Sequence, residues 1–177
     1  MIRSTYYLLY FDFMPDLHLE TKIKAPIELV FDLARSIDLH EQSLSHTNEK
    51  AIAGCTSGLI EKGETVTWQA KHFGITQKLT SFITDVDPHH FFADEQVNGA
   101  FKHFRHEHQF SKLEDGTTLM RDVFSYSSPL GFIGKIADHL FLKKYMTQLL
   151  EQRNSTLKER AENGKWKELP GMKSDYR

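Results

Sequence analysis

Apolar residues fall at every second position in some stretches of this chain and at helical spacing in others, and the two periods divide it into elements. Leu17, Leu19, Thr21 and Ile23 share one face of an alternating run, which predicts a half-buried strand. Pro26 then suits the first position of a helix. Val30, Phe31, Ala34 and Ile37 recur at helical spacing and predict an amphipathic helix over residues 26–36. Asp38 and Glu41 have capping-box spacing, with Asp in the Ser/Thr position, so a second short helix is expected to about Ser45.

From residue 48 to 127 the period changes to two. Val66, Trp68, Ala70 and His72 alternate with Thr65, Thr67, Gln69 and Lys71 in a strand from Gly63 to Phe73. Gly74 marks a tight turn, Ile75 to Val86 forms the next strand, and Asp87-Pro88 breaks it. His90–Val97, His103–Leu113 and Thr117–Ser127 follow, separated by Asn98-Gly99 and Asp115-Gly116, which supply positive-φ turn residues. Such a run of hairpins makes an antiparallel sheet. Ser128-Pro129 then reads as N-cap and first residue of a long helix. Its apolar stripe is Ile133, Ile136, Ala137, Leu140, Phe141, Tyr145, Leu149, Leu150 and Leu157, and its stop is Asn163-Gly164. The stripe is not a strict heptad, which favours burial against the sheet over a coiled coil.

These elements give one domain over residues 16–163, an N-terminal extension over 1–15 with Met14 as an alternative start, and a loose polar tail over 164–177. The 177 residues are enough to hold a core without disulfide or metal. A net charge of -2 argues against a dedicated nucleic-acid binder. The single Cys55 forms no internal bridge and suits a reducing cytoplasm, where the protein is expected. Tyr6–Phe11 is too short and too interrupted to be a signal peptide or a span, so no stable membrane insertion is expected. No cofactor or metal motif is present, and none is expected. Aromatics make up 12%, with 13 Phe, a composition that suits the wall of an apolar cavity or an ordinary core.

Three segments carry a resemblance: "LETKIKAPIELVFDLARSID", "FFADEQVNGAFKHFRHEHQF" and "SYSSPLGFIGKIADHLFLKKYM". Over residues 17–162 the chain resembles the START-like, or SRPBCC, superfamily. The resemblance extends to its polyketide cyclase/dehydrase families and to a subgroup called cell-division-inhibitor-like. It implies an α+β helix-grip fold: a curved antiparallel sheet of about six or seven strands wrapped around a long C-terminal helix. It implies function only as a class, because one fold hosts many activities.

The most informative strand is Phe104-Arg105-His106-Glu107-His108-Gln109-Phe110. Alternation puts Phe104, His106, His108 and Phe110 on one face, and two Phe bracketing two His mark it as the buried one. On the next strand Met120, Asp122, Phe124 and Tyr126 have matching character. A loop that pairs Lys112 with Thr118 sets Phe110 against Met120 and His108 against Asp122, whereas a two-residue turn pairs Phe110 with Arg121. Phe92, Asp94 and Gln96 approach from the preceding strand. The expected site is a polar cluster of Asp94, Gln96, His106, His108 and Asp122 in an aromatic wall. Trp68, His72, Phe92, Phe104, Phe110, Phe124, Tyr126, Phe141 and Tyr145 complete it.

Four readings of that cluster stay open. It is a self-satisfied hydrogen-bond network, or the anchor for the polar end of an apolar ligand. Alternatively His106 or His108 is an acid–base catalyst oriented by Asp122 or Asp94, or His-x-His with a carboxylate is a weakly signalled metal site. The corresponding functions are a carrier or sensor of a hydrophobic, aromatic or lipid molecule, a cyclase/dehydratase, and a protein-interaction module with a filled interior. A monomer or weak dimer is expected. A cavity of about 300 Å³ or more beneath the last helix separates these readings.

Overall fold

The hairpin over residues 65–87 shows how closely local sequence sets this fold. Thr65–His72 (β3) pairs with Ile75–Asp87 (β4), and His72 lies opposite Ile75. Only Phe73 and Gly74 remain to turn the chain, at φ 53° and 80°. Both central residues at positive φ is the turn whose twist matches paired strands.

The computed structural model describes residues 16–127 and 141–176. Asp16–Ile23 (β1) leads into helices Ile27–Arg35 (α1) and Ile37–Ser43 (α2). Lys50–Gly54 (β2), β3, β4, Phe91–Asn98 (β5), His103–Lys112 (β6) and Thr118–Ser127 (β7) follow. Lys143–Asn163 (α3) completes the set. The seven strands form one antiparallel sheet in the order β1-β7-β6-β5-β4-β3-β2. The first strand pairs with the last. The sheet is curved, the helices pack on its concave side, and the arrangement is the helix-grip fold.

The main core lies at one end of that concave side. Phe31 of α1 meets Phe92 and Phe110 edge-on, with centroids 5.9 and 5.4 Å apart. Ile23, Met120 and Leu157 of α3 close around them. A second aromatic cluster of Leu17, Phe104, Phe124, Tyr126 and Leu150 fills the other end.

Two sequence expectations need correction. The cap of α2 is Ser36, whose Oγ accepts from Leu39 N at 3.2 Å, not Asp38. Asp38 and Glu41 instead accept from the backbone of Gly58 and Ala51 and tie α2 to the chain beyond it. The C-terminal tail is not loose: Lys165–Glu168 forms a short 3₁₀ turn, and Trp166 and Leu169 are buried in the main core. Their apolar bulk outweighs the polar residues around them. The N-terminal extension over 1–15, the helix start at Ser128-Pro129 and the stripe from Ile133 to Leu140 lie outside the described residues. The helix stop agrees, with Gly164 at φ 77°.

Candidate functional site

Strand pairing brings the site together. Lys112 pairs with Thr118, so Phe110 faces Met120, His108 faces Asp122 and His106 faces Phe124. The loop that sets this register closes by Leu113 N donating to Thr117 O at 2.8 Å, with Gly116 at φ 77°. From the other side β5 sets Phe92 against His108 and Asp94 against His106.

At the centre, Asp122 is buried and accepts two hydrogen bonds. His106 Nε2 donates to its Oδ1 at 3.1 Å and Asn154 Nδ2 of α3 to its Oδ2 at 2.6 Å. His108 Nδ1 lies 2.7 Å from Oδ1, a close polar contact whose N–H direction is too bent for a proper hydrogen bond. Arg153 Nη1 stands 3.8 Å from the same oxygen, while its Nη2 donates to Ala34 O at 2.8 Å. Burial alone would raise the Asp122 pKa, but the two imidazoles together hold it well below the ordinary carboxylate range. His106 moves the other way. Burial, then the neighbouring His108, push it down to about 4 against the pull of Asp122 and Asp94.

Beside this cluster is a cavity of about 160 Å³ between the sheet, α1–α2 and α3. Its apolar wall includes Ile37, Ile60, Val66, Leu79, Ile83, Phe101, Leu149 and Leu150. Of the residues expected there, Trp68, His72, Phe92, Asp94, Phe104, His106, His108 and Phe124 line it.

The other expected residues stand elsewhere. Gln96 leaves the polar cluster, because its amide donates to Phe101 O at 2.7 Å and accepts from Phe101 N at 3.2 Å, closing the β5–β6 turn. Phe110 and Tyr126 are on the concave face but beyond the cavity, in the two packed clusters. Asp122 lies behind the two His rather than in the wall. Phe141 is 58% exposed and stacks with Tyr145 at a centroid distance of 6.4 Å. The Tyr145 hydroxyl bonds His72 Nδ1 at 2.7 Å, so Tyr145 supports a lining residue without lining the cavity. Cys55 is half-buried, and burial followed by the charge of Glu64 pushes its thiol pKa up, so it is not an activated thiolate.

Sequence reading missed His40, Glu49, Arg153 and Asn154. His40 stacks on Trp68 at 4.2 Å and contacts Glu49 at 2.9 Å, and both His40 and Glu49 line the cavity. Nothing local marks these two. Arg153 and Asn154 did carry a signal, since they interrupt the stripe between Leu149, Leu150 and Leu157 at helical spacing, where a polar residue needs a buried partner.

One pH dependence follows. The unfolded chain binds a proton at His106 near 6.5 and the folded chain only near 4. That stability is fully present above pH 6.5 and is lost as pH falls toward 4. Each unit is about 1.4 kcal/mol, so the loss is on the order of 3 kcal/mol. Urea unfolding between pH 7.5 and 4 measures it. His106→Gln should flatten the step, and an equal step in that variant would contradict the assignment.

Residues 14–162 match the sequence model of the family described as polyketide cyclase / dehydrase and lipid transport. No curated protein matches. Several solved structures share the fold. A Thermus thermophilus protein is 20% identical, with a TM-score of 0.67 over 83% of this chain and 97% of that one. The Zhui aromatase/cyclase from Streptomyces is 13% identical, with a TM-score of 0.63 over 85% of this chain and 98% of its own. A START superfamily protein from Mycobacterium smegmatis is 12% identical, with a TM-score of 0.62 over 82% and 96%. Among the described residues no helix is long and apolar enough to cross a membrane.

Proposed function

Because the chain belongs to the polyketide cyclase/dehydrase and lipid transport family, we propose that it binds a small, largely apolar molecule of single-ring size in the cavity under α3. The observation that carries this reading is the cavity itself, apolar along most of its wall, with one polar group of Asp94, His106, His108 and Arg153 and further polar residues in His40, Glu49 and His72. Its volume of about 160 Å³ limits the ligand. Drug-sized ligands use cavities of about 300 Å³ or more, whereas an apolar cavity near 150 Å³ accommodates benzene. A single ring with one polar substituent suits this volume, and a long acyl chain does not. That volume is below the about 300 Å³ of a full-sized ligand cavity, so it supports a small ligand and leaves an interaction module with a mostly filled interior as the competing reading.

Thermal-shift and native mass-spectrometric screening of single-ring aromatics against long-chain fatty acids tests it. Single-ring ligands should raise Tm and appear as 1:1 complexes. Val66→Phe, which places a ring in the wall, should weaken them at least tenfold while the protein stays folded. Absence of binding by every single-ring compound would reject the reading.

The likeness to an aromatase/cyclase raises a second reading, acid–base turnover of the bound molecule, favoured by the His106–Asp122 hydrogen bond at the cavity edge. A His held near 4 is neutral at pH 7 but a weak base, distant from the pKa that general catalysis favours. Binding is therefore the better-supported function. Turnover that His106→Gln abolishes would reverse that order.

A further inference from the structure

Asp94, His106 and His108 come together at the polar end of the cavity, each offering one atom that could ligate an ion. Asp122 is a carboxylate and accepts only, so the nitrogens that face it, His106 Nε2 and His108 Nδ1, are the ones that carry hydrogen. His106 Nδ1 and His108 Nε2 are left as lone pairs. The third member, Asp94, is near enough to His108 for the imidazole to hold its pKa down against burial. Its Oδ1 is 3.8 Å from His108 Nε2, beyond hydrogen-bond length. One ligand atom from each of Asp94, His106 and His108 lies within 4.8 Å of the other two.

We propose that Asp94, His106 and His108 bind one divalent first-row metal ion of the zinc or ferrous class. Two neutral imidazoles and a carboxylate are a ligand set for such ions, and they leave coordination positions open. The supporting shell is present: metal-binding His residues pass their other N–H to a carboxylate or carbonyl that fixes tautomer and ring orientation. Here Asp122 faces both rings and is itself held by Asn154. Binding requires the set to close, because its ligand atoms lie within 4.8 Å of one another and the ion needs them nearer. Tetrahedral bonds of about 2.1 Å separate donor atoms by about 3.4 Å. The Asp94–His108 pair, at 3.8 Å, is within a few tenths of that, and Asp94, 17% exposed, is the member able to move.

Charge permits the ion. Asp94 and Asp122 together carry two negative charges, and Arg153 returns one. Arg153 also completes the site, since its Nη1 is buried without a hydrogen-bond partner and the residue lines the same cavity. It offers a donor to an oxygen-bearing ligand on the open positions.

The test is titration of chelator-stripped full-length protein, with Zn2+ followed by calorimetry and Co2+ by visible absorption. One ion per chain is expected. Asp94→Asn and His108→Ala should each weaken binding at least 100-fold, and Asp122→Asn about 10–100-fold, as for other outer-shell partners. His90→Ala, an exposed histidine, should change nothing and so identifies surface binding. Should His108→Ala fail to fold, Asp94→Asn still decides. Equal affinity in Asp94→Asn, absence of a 1:1 site, or nitrogen NMR showing His108 protonated on both nitrogens in the presence of Zn2+ overturns the proposal. No organic ligand is present, so failure here leaves the small-molecule reading standing, and the screening experiment fails independently of the metal.

Discussion

Replacing Asp122 by Ala is expected to cost about 3–5 kcal/mol, the usual penalty for breaking a buried ionic group from its partners. The carboxylate is 1% exposed and accepts from His106 and Asn154 while facing His108 and Arg153. Removing it strands these donors in a region where each unpaired polar group costs about 1–3 kcal/mol. It links His106 of β6 and Asn154 of α3 to β7. For a chain of this size 1 kcal/mol moves Tm by about 2–4 °C, so a fall on the order of 10 °C is expected. Asp122→Asn keeps the shape and one acceptor oxygen and should lose less. Urea unfolding of the three proteins gives the comparison, and a loss below about 1 kcal/mol in Asp122→Ala would mean that the buried cluster does not hold the helix to the sheet.

Trp166→Ala is expected to be comparably damaging, about 3–5 kcal/mol, although it lies beyond the last long helix. Trp166 packs into the cluster that contains Leu157, Ala161 and Leu169, and meets Tyr176 edge-on at 5.1 Å. The Tyr176 hydroxyl donates to Asp32 Oδ2 at 3.1 Å, and Asp32 is paired with Arg35 at 2.8 Å. The terminal residues thus cover α1 and add a hydrogen bond to a buried ion pair. Lys165→Ala, exposed on the same turn, should stay within about 0.5 kcal/mol of the parent. Faster proteolysis after residue 164 in Trp166→Ala, and not in Lys165→Ala, is the second readout. Equal stability of the two variants would mean that the C-terminal segment contributes nothing to the core.

The sheet was legible because alternation and turn chemistry act over a few residues. Phe73-Gly74 and Asp115-Gly116 set two hairpins, and the second fixes which residues face His106 and His108. Position along the concave face was not legible. Alternation puts Phe110 and Tyr126 on the same side as the two His, but it carries no information about where packed core ends and cavity begins. Gln96 shows the same limit, since its side chain closes a turn whose geometry depends on Phe101. His40 and Glu49 reach the cavity through α2 and the turn that follows it, a placement set by tertiary packing. Arg153 and Asn154 were legible in principle, as polar residues on an apolar stripe. Trp166 was obscured by its charged neighbours, although a lone Trp in a polar segment rarely lies free in water.

The chain has two tryptophans, and Trp68 alone lines the cavity. Trp166→Phe keeps an aromatic ring in the core and leaves Trp68 as the sole emitter. Titrating that protein with a single-ring aromatic ligand measures occupancy directly. A saturable 1:1 change in Trp68 emission, lost in Val66→Phe and absent with long-chain fatty acids, is expected. Constant emission with every single-ring compound, or an equal response from the Val66→Phe protein, contradicts a ligand cavity at this place.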